Sequence, residues 1–265
     1  MARLSDAQVE AYGRDGHVTA DWRLPAETIE AMRSALDKLV DANGHMTSDN
    51  MFCPHLRKAG TQGLEGDDTW LEFARIPEVL DMVEQLIGPD FLLWGSTVFG
   101  KPANVGKETP WHQDGEYWPI RPLASCSAWI AIDDASPENG CLRVLPGTHR
   151  GRHILRHHRR EGEDITLNEE LCDPSVDYTT ARDIVLEAGQ ISFHDVFLAH
   201  GSAPNRSGRR RAGYVCRYMP TTSVWDRRLG KALEERSGIV EFAKRDLYLV
   251  RGRDVSGQNT VATDR

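Results

Sequence analysis

Pro110-Trp111-His112-Gln113-Asp114-Gly115-Glu116-Tyr117-Trp118 places an imidazole and a carboxylate at i and i+2. Side chains alternate along a β-strand, so that spacing points His112 and Asp114 to the same face. Much further along, His200-Gly201-Ser202 follows an apolar run and offers a second imidazole from another part of the fold. Two histidines and one carboxylate can occupy one face of an octahedral metal and leave the opposite face open, the arrangement of non-haem Fe(II) oxygenases. Neutral imidazoles with an ionised carboxylate also suit the metal's charge. A lone His-X-Asp is common without a metal. On spacing alone, each of the three also reads as a hydrogen-bonded polar residue in a strand or turn.

The surroundings of this stretch are β-rich. From Phe91 onward, short runs of strand-forming residues alternate with turn residues, at 91–99, 110–114, 125–132, 142–145, 183–186, 191–193 and 212–218. Pro137-Glu138-Asn139-Gly140, Pro146-Gly147 and Glu187-Ala188-Gly189 punctuate them. Many short strands at irregular spacing predict a sandwich or jelly roll. The basic, His-rich segment 150–164 reads as an exposed insertion.

The first ninety residues read as helical. Ser5 and Gln8 form a capping box ahead of a helix to about Tyr12. A second helix follows Pro25, with Ile29, Met32, Leu36, Leu39 and Val40 on one stripe. A third runs from Pro77 through Val79, Leu80, Val83, Leu86 and Ile87 to Gly88-Pro89. Between the last two, 42–68 is polar and Gly-rich, a long loop that could cover a site. After Pro220, 229–242 reads as helical, 247–250 as extended, and the last ten residues as loose. The whole 265-residue chain is expected to form a single domain: a helical flank 1–90, a β core 91–220 and a C-terminal extension 221–265.

With 40% hydrophobic and 27% charged residues the chain can build a substantial core. Its net charge of −8 argues against a nucleic-acid partner. No apolar run approaches the roughly 20 residues of a membrane span. MARLSDAQVEAYGRDG lacks an apolar signal core, so a cytoplasmic location is expected. Five dispersed cysteines without CxxC spacing read as reduced thiols, against a disulfide frame or a structural zinc site.

Arg211 opens the run Arg-Ala-Gly-Tyr-Val-Cys-Arg-Tyr. An iron oxygenase using 2-oxoglutarate needs a cation for the distal carboxylate, and the planar fork of arginine suits it. On a strand, Arg211, Gly213, Val215 and Arg217 share a face, making Arg211 the anchor and Arg217 the second candidate. Arg209 and Arg210 read as solvated loop charges, although a register shift of one would favour Arg210. His194 shares a face with His200 but would lie roughly 20 Å away on a regular strand, too far for the same metal unless the chain bends sharply between them. His149 reads as a turn-stabilising residue, and His157 and His158, amid Arg156, Arg159 and Arg160, as part of a solvated insertion, with an anion site as the other reading and an anionic substrate as the hint. Tyr117 and Trp118 are candidate substrate contacts, with core packing or a cage for a quaternary ammonium as other uses of the aromatics. Ser127 and Trp129 share a strand face that could line the cosubstrate site. Lys101, before Pro102, is a further candidate substrate contact.

Taken in order, LSDAQVEAYGRDGHV, PWHQDGEYW, ENGCLRVLPGTHR, GQISFHDVFLAHGSAPNRSGRRRAG and RYMP resemble the phytanoyl-CoA dioxygenase-like branch of the Fe(II)/2-oxoglutarate oxygenases, over roughly residues 4–254. The resemblance implies a mainly β double-stranded β-helix (jelly roll, cupin-like) with flanking N-terminal helices. It implies His112, Asp114 and His200 as iron ligands and Arg211 as the 2-oxoglutarate anchor. Fe(II), 2-oxoglutarate and O2 would then hydroxylate an unactivated C–H bond of a small molecule, releasing succinate and CO2. Halogenating relatives have a small residue in place of the carboxylate ligand; Asp114 is intact here. Two alternatives are a zinc or manganese enzyme of hydrolytic or isomerising type, and a non-catalytic binding or sensing protein that retains the fold. The motifs describe the iron site and name no substrate.

Overall fold

The computed structural model describes residues 3–57, 63–237 and 241–262. Parts of the expected 42–68 loop and 229–242 helix, and the last three residues, therefore lie outside the described residues. Two antiparallel sheets carry the fold. The larger runs His17–Arg23, Gln190–Asp195, Cys126–Ala131, Arg211–Pro220, Phe91–Lys101 and Tyr248–Arg251, with Met51–Phe52 also paired to Phe91–Lys101. The smaller runs Arg182–Ile184, Leu142–Val144, His200–Ser202 and Thr109–His112. This is a jelly-roll-type arrangement, as the β-rich patterning predicts.

Alternation along Arg211–Pro220 decides which face does what. Ala212, Tyr214, Cys216 and Tyr218 enter the apolar core beneath the helices, while Arg211, Val215 and Arg217 line a cavity on the other face. The Tyr214 and Tyr218 hydroxyls donate to the Trp70 and Ala74 carbonyls, both at 2.7 Å, which fixes the sheet against the short helix Thr69–Phe73. Helix Ala26–Ala42 contributes Ile29, Met32, Ala35, Leu36 and Leu39, and helix Pro77–Ile87 contributes Val79, Leu80, Met82 and Val83. Each large aliphatic side chain buried in this way stabilises the fold by about 1.5–3 kcal/mol. Between the sheets, Trp129, Leu142, Val144, Leu198 and Val215 form a second apolar cluster. The polar site occupies the remaining space on that side.

Several expectations are corrected. The first ninety residues are not purely helical: Gly16, at φ +79°, ends helix Asp6–Asp15, and His17–Arg23 then joins the edge of the larger sheet. Its alternation is confined to Val18 and Ala20, too short to stand out in sequence. Val40 faces solvent and Ala35 takes the inward position on its helix. The 42–68 segment contains a strand, Met51–Phe52, and Asn50, Phe52 and Cys53 form part of a cavity wall. The 150–164 insertion is largely exposed but docked, since His157–Arg159 pairs with Glu169–Leu171 and Arg160 bridges Glu108 and Glu170, each at 2.9 Å. The C-terminal part forms helix Arg227–Ser237 and strand Tyr248–Arg251. All five cysteines are free thiols.

Candidate metal centre

His112 and His200 face each other directly across the Thr109–His112 and His200–Ser202 strands, with ring centroids 4.2 Å apart. Each Nδ1 is tied to a backbone carbonyl at 2.9 Å, that of Pro110 for His112 and that of Leu198 for His200. That contact orients each ring and leaves Nε2 as the donor toward a metal. The expected strand 110–114 stops at His112. Gln113 nevertheless stays extended (φ −112°, ψ 127°), and Asp114 opens a 3-10 turn to Tyr117. One extended residue is enough to bring the carboxylate back to the face of His112. Asp114 Oδ1 lies 3.6 Å from His112 Nε2 and 4.0 Å from His200 Nε2, and the three donor atoms all lie within 4.8 Å of one another in buried surroundings.

Protonation suits a cation. Burial alone would raise the Asp114 carboxyl, but contacts with His112 and His194 and the charges of His200 and Arg217 outweigh it and hold it well below the usual carboxylate range. Burial, reinforced by the neighbouring His112, pushes His200 well below its ordinary value. An ionised carboxylate with a neutral imidazole is the state that ligates a metal. The residues therefore fit Fe(II).

Two neighbours escape a sequence reading. Gln113 is fully buried between the ligands. Its Nε2 donates to the Phe197 carbonyl at 2.6 Å, and its Oε1 accepts from the Leu155 backbone at 2.7 Å. It thereby ties the His-X-Asp turn to the segment leading into His200. The available signal is that the residue between two same-face ligands must point the opposite way, into the protein. His194 corrects the distance argument: the chain turns after Asp195, with the Leu198 backbone N–H on the Asp195 carbonyl at 3.0 Å. His194 consequently packs on His200 with centroids 4.7 Å apart, and its Nε2 lies 3.6 Å from Asp114 Oδ2.

A narrow cavity extends from these donors to Arg211, past Trp129, Val215 and Ser202. Arg211 is buried; its Nε and Nη2 donate to the Gly140 carbonyl at 3.0 and 2.8 Å, and Nη1 donates to the Phe99 carbonyl at 3.4 Å. A guanidinium has five N–H donors. One N–H on each terminal nitrogen remains, a pair suited to a carboxylate. Trp129 lies beneath this group, with Arg211 5.7 Å from its ring centre. Arg210 points elsewhere, to Asp133 at 2.8 Å and Asp37 at 3.2 Å. Ser127 lies beside Asp114, its hydroxyl 3.5 Å from Oδ2. Lys101, expected at the substrate, instead donates to the Ala203 and Ser202 carbonyls at 2.6 and 3.3 Å and lines neither cavity described here. Tyr117 and Trp118 line a second, larger cavity that meets the first at Phe99, His112, Asp114 and Arg217.

Gly213 makes room for Trp129: a Cβ there would stand 2.2 Å from the indole. Gly213→Ala is expected to lower stability by about 1–3 kcal/mol through overpacking, read as a shift of the denaturant midpoint. An unchanged midpoint would show that the indole has another place to go.

Two facing β-sheets with a buried His-Asp-His donor set between them define a jelly-roll-type metal protein. Residues 12–213 match the family model described as phytanoyl-CoA dioxygenase (PhyH), and the chain belongs to that family. It is 32% identical over 216 residues to the peroxisomal phytanoyl-CoA dioxygenase of Bos taurus, a match covering 74% of this chain and 63% of the bovine protein. The chain thus spans less than two thirds of that relative's length. Among solved structures, the apo form of ThoJ, a non-heme monooxygenase, superposes with a TM-score of 0.71 at 24% identity, covering 93% of this chain and 84% of that one. EvdO2 from Micromonospora carbonacea var. aurantiaca, complexed with 2-oxoglutarate, gives 0.64 at 22% identity, covering 82% and 91%. Both share the fold.

Proposed function

We propose that the chain is an Fe(II)- and 2-oxoglutarate-dependent oxygenase that hydroxylates an unactivated C–H bond of a small organic molecule. The observation that carries this reading is one continuous cavity with a buried two-histidine, one-carboxylate set at one end and the part-satisfied guanidinium of Arg211 at the other. A zinc or manganese hydrolase has no use for that arginine.

His112, Asp114 and His200 would hold the iron, and Arg211 would hold the distal carboxylate of 2-oxoglutarate. Iron held by these residues would supply the chemistry that couples oxidative decarboxylation of 2-oxoglutarate to hydroxylation, with succinate and CO2 as the co-products. The chain's own contribution is geometric and electrostatic. The Pro110 and Leu198 carbonyls fix the imidazoles, Gln113 fixes the turn between the ligands, and Trp129 floors the cosubstrate cavity. Phe99, where the two cavities meet, and Trp118 in the larger one would supply apolar surface that limits water beside the reacting bond.

The test is reconstitution without oxygen, followed by oxygen exposure across a metabolite library. Succinate is expected to form with Fe(II) and 2-oxoglutarate together, and to rise sharply with a substrate. Turnover that proceeds with zinc and without 2-oxoglutarate would overturn the reading.

A further inference from the structure

The larger cavity, about 330 Å3, is lined by three arginines, Arg159, Arg217 and Arg245, against two carboxylates, Asp114 and Glu169. Arg217 is buried at 7% exposure; Nη1 donates to Thr97 Oγ1 at 2.7 Å, and Nε has no partner. Its guanidinium lies 5.4 Å from the Trp118 ring centre and 5.9 Å from those of Trp94 and Phe99. The aromatic box therefore already holds a cation and does not await a cationic ligand. Arg245, 6% exposed, lies over Phe242 at 5.1 Å and lines the same space. The ion pairs among the described residues involve neither arginine. Of the two carboxylates on the cavity wall, Asp114 belongs to the candidate metal set, and Glu169 lies on the Glu169–Leu171 strand, while Arg159 of the same wall pairs with Glu161 at 3.1 Å. Buried charges are normally paired. Arg217 shares the Asp114 charge with the candidate metal site, and Arg245 has no ion pair among the described residues, so two buried guanidiniums around a space that opens on the candidate donors leave room for an anion from outside.

We infer that this cavity binds an organic acid: a carboxylate held by Arg217 and Arg245 on an apolar or aromatic body packed against Trp94, Trp118 and Phe242. That this acid is the molecule oxidised rests on the oxygenase reading; its binding does not. Arg217, Phe242 and Arg245 lie beyond the 12–213 stretch that matches the family, while Trp94 and Trp118 lie within it.

The test uses the full chain, metal-free and then loaded anaerobically with Fe(II) and 2-oxoglutarate, titrated calorimetrically with 3-phenylpropionate and its neutral amide, 3-phenylpropanamide. The carboxylate is expected to bind at least about tenfold more tightly, the scale of a charge-assisted hydrogen bond. Arg245→Gln is expected to remove most of that preference, and Arg245→Lys to keep it, both with near wild-type melting. Three results would overturn the inference: no carboxylate binding at millimolar concentration, equal binding of the amide, or a preference that survives Arg245→Gln. Displacement of the probe by excess 2-oxoglutarate from metal-free protein would also overturn it, by assigning the arginines to the cosubstrate. Failure of Fe(II)-dependent 2-oxoglutarate binding, with the carboxylate preference intact, would sink the oxygenase reading and leave the anion site standing.

Discussion

Asp114→Ala is expected to abolish hydroxylation and to weaken Fe(II) binding by more than about 100-fold. Losing only a hydrogen-bond partner of a ligand typically costs about 10–100-fold in metal affinity, and here the ligand itself is lost. Asp114 is also the sole anion of the set, so the variant offers a dication two neutral imidazoles. Both rings keep their orientation, because the Pro110 and Leu198 carbonyls hold them independently of the carboxylate. The defect should therefore be specific to the metal. Arg217 draws on the Asp114 charge from within the same site, so some loss of melting temperature accompanies it. Anaerobic equilibrium dialysis with Fe(II), alongside a melting curve, separates the two effects. Substantial hydroxylase activity, or unchanged iron affinity in a folded variant, would remove Asp114 from the ligand set.

What could be read from the sequence divides along physical lines. Strand Arg211–Pro220 was legible because its alternation is unbroken and each face has one solvent, apolar core or polar site. The gathering of His112, Asp114 and His200 was legible because coordination needs specific residue types, and one extended residue sufficed to align His112 with Asp114. Sequence could say only that His194 needs a sharp bend to approach His200, and the turn after Asp195 that provides it has no local signature. Gln113 was passed over because an amide carries no chemistry of its own until its partners, the Phe197 carbonyl and the Leu155 N–H, are in view. Arg245 lies in a segment without periodicity, so nothing local announces that it reaches a cavity built by distant strands. Lys101 was only a candidate substrate contact before Pro102, with no local pattern to say where its amine points. Its cross-strand partner is Arg211, yet its ammonium turns to the Ala203 and Ser202 carbonyls.

Arg211→Ala is expected to raise the 2-oxoglutarate concentration for half-maximal turnover about 100-fold or more, while Arg210→Ala leaves it unchanged. The difference follows from where the two guanidiniums point. Arg211 retains one free N–H on each terminal nitrogen in a buried cavity, and two charge-assisted hydrogen bonds there are worth roughly 3 kcal/mol or more, or over 100-fold in affinity. Arg210 spends its charge on Asp133 and Asp37 at a half-exposed site, where ion pairs contribute about 0–1 kcal/mol. Its loss should register faintly in stability and not in cosubstrate binding. Lys101 cannot stand in for the missing guanidinium. Burial, the larger cause of its lowered amine pKa, persists without Arg211, and its nearest acceptor is the Ala203 carbonyl. Loss of Arg211 also leaves the Gly140 and Phe99 carbonyls short of a donor, so Arg211→Ala should melt earlier than wild type. Destabilisation alone would lower the maximal rate at every 2-oxoglutarate concentration. Loss of the anchor should instead let the rate recover as 2-oxoglutarate is raised, and that split identifies the role. A larger effect in Arg210→Ala than in Arg211→Ala would place the anchor one residue earlier and reverse the inner and outer faces of the strand.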